Sequence, residues 1–191
     1  MNADQVLRIF REAGALLDGH FLYSSGRHGR QFLQAARVLQ YPQYTESLCR
    51  AMAKRFEDDD IATVVGPATG GIILAYETAR HLNATAAFTE KDGAGGMALK
   101  RGFGMKPGTR VLVVEDITTT GGSVQKTVEH LRARGAVVVG VSVLIDRSAG
   151  EAGFDCRFEP LAAITMESWA PDVCELCKLG LPLVEPDDLV V

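Results

Sequence analysis

Apolar residues recur along this chain in two rhythms, one of helical spacing and one of short continuous runs. Val6, Ile9, Phe10 and Ala13 fall at helical spacing, with Gly14 where a helix would stop. Leu48, Ala51, Met52 and Phe56 make a second stripe, and the acidic run Glu57 to Asp60 reads as its solvated end. Ile61 to Val65 is a short strand that runs into the glycine loop Gly66 to Gly71, after which residues 72–82 read as helix. Thr85 to Phe88 and Val111 to Val114 are further strands, and Val124, Thr127, Val128 and Leu131 line one helix face ending near Gly135. Ala136 to Ile145 is a buried strand and Leu161 to Met166 a last one. Strands alternating with helices predict an α/β fold: a central, mostly parallel twisted sheet of about five strands with helices on both faces. A single domain over residues 1–191 is expected, since no repeat, low-complexity tract or linker interrupts the pattern.

Composition narrows the class. Hydrophobic residues make up 47% and charged residues 23%, as in an ordinary globular protein, and the net charge of −4 argues against a nucleic-acid partner. Met1 to Asp4 lacks the basic stretch of a signal peptide, and the longest apolar run, 136–145, is short of a membrane span. A cytoplasmic protein with no membrane partner is therefore expected. Four cysteines, at 49, 156, 174 and 177, do not suggest a disulfide framework. Cys174 and Cys177 have metal-ligand spacing, but no matching CxxC or HxxxH accompanies them, so reduced structural thiols are the expectation.

The informative stretch is Val111 to Ser123. A buried strand ends in Glu115 and Asp116, followed by Ile117, Thr118, Thr119, Thr120, Gly121, Gly122 and Ser123 at the start of a helix. Helix-opening N–H groups, hydroxyls and the helix dipole would receive a phosphate. The two carboxylates are misplaced as phosphate ligands but suit sugar hydroxyls, or a divalent cation reached through water. A phosphorylated sugar satisfies both halves. The loop Gly66 to Gly71, with Thr69 and Gly70, permits close approach to an anion, yet Ile72 and Ile73 stand where a nucleotide-triphosphatase loop needs Lys and Ser/Thr. Residues 89–103, rich in glycine and charge, read as an exposed lid. Arg147 follows a strand on the same sheet edge. The Ser25-Gly26-Arg27 turn reads, on composition alone, as a solvated hairpin loop.

These residues carry a resemblance. Val111 to Ser123 resembles the signature loop of the type I phosphoribosyltransferases, which use 5-phosphoribosyl 1-diphosphate, PRPP. Gly19 to Phe21 with Ser24 to Arg27, Gly66 to Ile72, Met97 to Phe103, Ile145 to Arg147 and Cys174 to Cys177 with Pro182 are similar to the members that act on orotate in pyrimidine synthesis. The resemblance implies the type I fold, with residues 1–40 and 165–191 contributing a small hood. It implies that Glu115 and Asp116 hold the ribose, that Thr119 to Ser123 cradle its 5′-phosphate with Ile117, Thr118 and Lys91 also binding PRPP, and that the Gly66 to Gly71 loop, through Thr69 and Gly70, faces the diphosphate. It implies orotate on Thr119, Arg147, Ser25 and Arg27, with Lys91, Lys100 and Asp116 catalytic. Mg²⁺ would be held mainly by PRPP and water near Glu115 and Asp116, not directly by the protein, and the enzyme would be a homodimer.

Two departures stand out. Many members have lysine at the place of Gly70, and many carry a histidine in a longer lid, whereas Lys91 to Gly96 has none. Two rival readings keep the signature loop. A transferase for a purine or uracil has no need of an anion-binding arginine, and a PRPP-sensing regulator that binds RNA or DNA would carry a basic surface.

Overall fold

The computed structural model describes residues 1–23 and 25–185. Helix α1 (Ala3–Glu12) opens on a capping box in which Asn2 and Gln5 bond each other's backbone N–H, at 2.9 and 3.0 Å. Strands β1 (Leu16–Leu22) and β2 (His28–Leu33) form a hairpin, followed by the short α2 (Ala36–Leu39) and α3 (Pro42–Lys54). The body then alternates β3 (Thr63–Pro67), α4 (Gly70–Leu82), β4 (Thr85–Lys91), β5 (Met97–Leu99), β6 (Arg110–Thr118), α5 (Gly122–Ala133), β7 (Val137–Asp146) and β8 (Arg157–Ala163). The chain closes with β9 (Ser168–Trp169) and α6 (Glu175–Lys178). Among the described residues no helix is long and apolar enough to cross a membrane.

The main sheet runs β5-β4-β3-β6-β7-β8, parallel except for β5, which pairs antiparallel with β4. Successive residues of the central strands point to opposite faces. Val64, Leu112 and Val114 meet the side formed by α1, α3 and α4, whereas Val65, Val111 and Val113 meet Val124, Val128 and Leu131 of α5. Both faces are therefore dry, which is why these strands read as unbroken apolar runs rather than as alternating ones.

A second, antiparallel sheet, β1-β2-β9, joins the N- and C-terminal parts of the chain. Phe21 bridges Val184, and the N–H groups of Leu22 and Val184 donate to the carbonyls of Val184 and His20, both at 2.9 Å. Residues 186–191 and Ser24 lie outside the described part, so only 165–185 of the expected C-terminal hood segment can be followed.

Three expectations from the sequence change. The last strand covers 157–163 rather than 161–166. As an edge strand it tolerates Pro160, which needs no donor on its open side. The strand β5 is only three residues long, too short to leave a period in the sequence. The stretch 89–103 contains a folded β4–β5 hairpin: Asp92 Oδ1 accepts from the N–H groups of Ala94 and Gly96 at 2.7 and 2.9 Å, and Arg101 grips Glu90 through two bonds.

Gly140 shows how tightly β7 is seated. A Cβ there would stand 2.6 Å from the Phe56 ring and 2.9 Å from the Arg157 carbonyl. Neither neighbour is free to move, because Phe56 is fully buried and Arg157 O belongs to the next strand. Gly140→Ala is expected to lower folding stability by about 1–3 kcal/mol in urea unfolding, the usual cost of overpacking.

Candidate active site

Strands β3, β6 and β7 are neighbours, so their carboxyl ends bring three loops to one edge of the sheet. The Arg147 N–H donates to the Thr118 carbonyl at 2.8 Å and fixes the loop after β7 against the end of β6.

Glu115 and Asp116 are half-buried at the end of β6. The Asp116 N–H donates to Glu115 Oε1 at 3.1 Å and the Ile117 N–H to Asp116 Oδ1 at 2.6 Å. No ion pair to either carboxylate occurs among the described residues, and the bond from Ile117 offsets only part of the loss of water. Burial, together with the adjacent Asp116 charge, pushes Glu115 up to about 8, and burial raises Asp116 as well. Ionising both carboxylates at once is therefore unfavourable without a ligand to meet their charge. Gly70, at the place where many members of the resembled family carry lysine, lies directly under Asp116: a side chain at that position would strike the carboxylate.

Beyond the carboxylates, a cavity of about 270 Å³ is lined by Glu115, the run Thr118 to Ser123, and Lys126. Gly121 adopts a left-handed conformation (φ 75°) and opens α5 without a side-chain cap, so the first N–H groups of the helix have no capping side chain among the described residues. Thr118 Oγ1 is buried without a hydrogen-bond partner. This concave set of donors at a helix start is suited to a phosphate.

A larger open cavity of about 790 Å³ adjoins it, lined by Tyr23, Ser25, Phe32, Gln34, Thr119 and Arg147 among others. Thr119 lines both cavities. Arg147 is half-buried and has no carboxylate partner among the described residues; burial lowers its pKa, partly offset by Tyr23. The Tyr23 hydroxyl donates to the Gln31 carbonyl at 2.5 Å, and burial raises its pKa.

Most of the residues marked in the sequence converge here: Glu115 and Ile117 to Ser123 around the smaller cavity, Ser25, Thr119 and Arg147 around the larger, with Asp116 over Gly70. Thr69 precedes α4 and is exposed. Arg27 stands elsewhere. Its Nε and Nη2 donate to Ser168 Oγ and O at 2.9 and 2.6 Å, so it staples the β1–β2 turn to β9 and is not among the residues lining the cavity. Lys91 and Lys100 are exposed on the hairpin, where Lys100 Nζ donates to the Lys91 carbonyl at 2.6 Å.

Sequence reasoning missed Lys126, Tyr23 and Gln34. Lys126 had a signal, since it lies three residues beyond Ser123 and so on the same side of α5. The other two join the site only through the hairpin pairing and leave no local pattern.

Residues 34–155 match the phosphoribosyl transferase domain family, which sets the class of protein. The orotate phosphoribosyltransferase of Desulforamulus reducens is 48% identical over 186 residues, 97% of each chain, and that of Thermus thermophilus is 46% identical over 94% of this chain and 98% of its own. The crystal structure of orotate phosphoribosyltransferase from Aeropyrum pernix superposes with a TM-score of 0.70 at 28% identity, covering 92% of this chain and 98% of that one. The chain belongs to the orotate phosphoribosyltransferase family.

A carboxyl whose folded pKa lies above its unfolded value costs stability as pH rises from the lower value to the higher. Glu115→Gln keeps the acceptor for the Asp116 N–H but removes that cost. It should leave stability nearly unchanged at pH 4 and raise it at pH 8 by about 1 kcal/mol or more, with the melting temperature rising by about 2–4 °C per kcal/mol in a domain of this size.

Proposed function

We propose that this chain transfers the phosphoribosyl group of PRPP to orotate, giving orotidine 5′-monophosphate and pyrophosphate in de novo pyrimidine synthesis. The observation that carries the reading is Arg147, a half-buried cation without an ion-pair partner among the described residues, set on the wall of a cavity that shares Thr119 with a phosphate cradle. An anionic base resolves that uncompensated charge, and a guanidinium can take a carboxylate through two parallel bonds.

In this reading the 5′-phosphate lies on the N–H groups and hydroxyls of Thr119 to Ser123, with Lys126 added. Glu115 and Asp116 accept hydrogen bonds from the ribose hydroxyls. Ser25, Thr119 and Arg147 orient orotate. The diphosphate leaves toward Thr69 and Gly70, with Lys91 or Lys100 brought over from the exposed hairpin to meet its charge. The ring nitrogen of the base forms its bond to C1 as the bond from C1 to the diphosphate oxygen breaks; the electron pair leaves with the diphosphate, and the proton of the ring nitrogen passes to the diphosphate or to water. No side-chain nucleophile is needed. Positioning and charge complementarity carry the catalysis.

Mg²⁺ suits this edge, because two carboxylates without a cationic partner among the described residues offer hard oxygen acceptors. It would be held mainly by PRPP and water beside Glu115 and Asp116, and when bound it supplies neutralisation of the diphosphate charge. The same reading includes a cytoplasmic setting and a homodimer. Exposed Ile73 and Tyr76 on α4, close in sequence to the pyrophosphate loop, are apolar surface that a second copy would cover.

The deciding assay follows loss of orotate absorbance with PRPP and Mg²⁺, in parallel with hypoxanthine, uracil and adenine. Turnover of another base without turnover of orotate would overturn the assignment. Arg147→Ala is expected to raise the KM for orotate by about 30-fold or more, from the loss of a half-buried charge pair worth at least about 2 kcal/mol, while the KM for PRPP changes little. Asp116→Asn should lower kcat/KM by about 10–100-fold, the worth of hydrogen bonds to a charged group, with the melting temperature maintained. Unaltered kinetics would remove Asp116 from the site.

A further inference from the structure

The CxxC pair finds its partners across the chain. Cys174 precedes α6 and Cys177 lies within it, and the hairpin brings His20 of β1 and His28 of β2 against them. One ligand atom from each of the four residues can be chosen so that all lie within 4.8 Å of one another. His20 Nε2 is 3.2 Å from His28 Nδ1, 3.5 Å from Cys174 Sγ and 3.7 Å from Cys177 Sγ, and His28 Nδ1 is 3.2 Å from Cys177 Sγ.

A tetrahedral ion with metal–nitrogen bonds of about 2.05 Å and metal–sulfur bonds of about 2.3 Å separates its ligand atoms by about 3.3–3.8 Å. These four spacings fall on or just below that range, and the remaining two, Cys174 to Cys177 and Cys174 to His28, are within 4.8 Å, so binding draws Cys174 inward. The second nitrogen of His20 is also engaged: Nδ1 lies 2.9 Å from the Leu181 carbonyl. Donation there places the ring proton on Nδ1 and turns the Nε2 lone pair toward the thiols, the arrangement seen in histidines that hold metals. His20, His28 and Cys174 are buried, and Cys177 reaches the surface, so the cluster has a closed interior and one accessible side.

The geometry points to a structural Zn²⁺ site made by His20, His28, Cys174 and Cys177. Two imidazoles and two thiolates at tetrahedral spacing select zinc over hard cations such as Mg²⁺. Four protein ligands leave no open position for a substrate, so the role is structural. Binding displaces the thiol protons of both cysteines and joins three segments that are otherwise held by a few backbone bonds: β1, β2 and the tail around α6. The second ligand pair was invisible in the sequence because His20 and His28 are eight residues apart, a spacing that becomes a pair only across the β1–β2 hairpin.

The test is metal content. Wild-type protein expressed with zinc and passed through gel filtration in metal-free buffer is expected to retain one zinc per chain by mass spectrometry of the metal. Cys177→Ser and His28→Ala should lose it, whereas Asp116→Asn should keep it, which separates this site from the substrate site. Cobalt(II) in place of zinc should show the intense visible absorption of a tetrahedral ion and a thiolate charge-transfer band. Removal of zinc by a chelator should lower the melting temperature of the wild-type chain. The wild-type result decides irrespective of how the variants fold. Metal-free wild-type protein whose cobalt spectrum is only that of a hydrated octahedral ion would overturn the proposal, as would a Cys174–Cys177 disulfide in protein purified under reducing conditions.

Discussion

Two carboxylates side by side at the end of a doubly buried strand cannot both ionise freely without something to meet their charge. The constraint organises the site. Because β6 is packed on both faces, Glu115 and Asp116 cannot retreat into bulk water, and their backbone is fixed by the strands on either side. The chain offers them N–H groups from Asp116 and Ile117 but, among the described residues, no cationic side chain. Hydroxyl-rich or cation-bearing ligands are what such a pair can stabilise, and on the proposed reading the cradle from Thr119 onward meets the phosphate half of the same ligand.

The larger cavity shows the complementary case. Arg147 is a cation withheld from water as the carboxylates are anions withheld from it, and Thr119 stands between the two. No ion pair joins Arg147 to Glu115 or Asp116 among the described residues, although β6 and β7 are neighbours. On the proposed reading each charge meets its own part of the substrates, and the cost in stability is borne by a core whose largest side chains are fully buried.

How much of this was legible in the sequence depends on the range of the interaction. The α/β alternation and the parallel strands were readable because burial on both faces leaves continuous apolar runs, as at Val111 to Val114. The phosphate loop was readable because strand, acids, hydroxyls and helix start are contiguous. The signals failed where geometry is made by pairing: Tyr23 and Gln34 reach the cavity through the hairpin, Arg27 is drawn to Ser168 across the small sheet, and the His/Cys cluster spans residues 20 to 177. Pro160 misplaced the last strand because edge position, which excuses it, is a property of the sheet rather than of the local sequence.

The order of strands has a stereochemical consequence. The loop after β3, the ribose loop after β6 and Arg147 after β7 come from three consecutive strands, each about 4.8 Å from the next. On the proposed reading the diphosphate, the sugar and the base are therefore laid out in a row across the sheet edge, with the sugar in the middle. Base and diphosphate then face opposite sides of C1, so the new bond forms on the face away from the one that breaks, and the configuration at that carbon inverts.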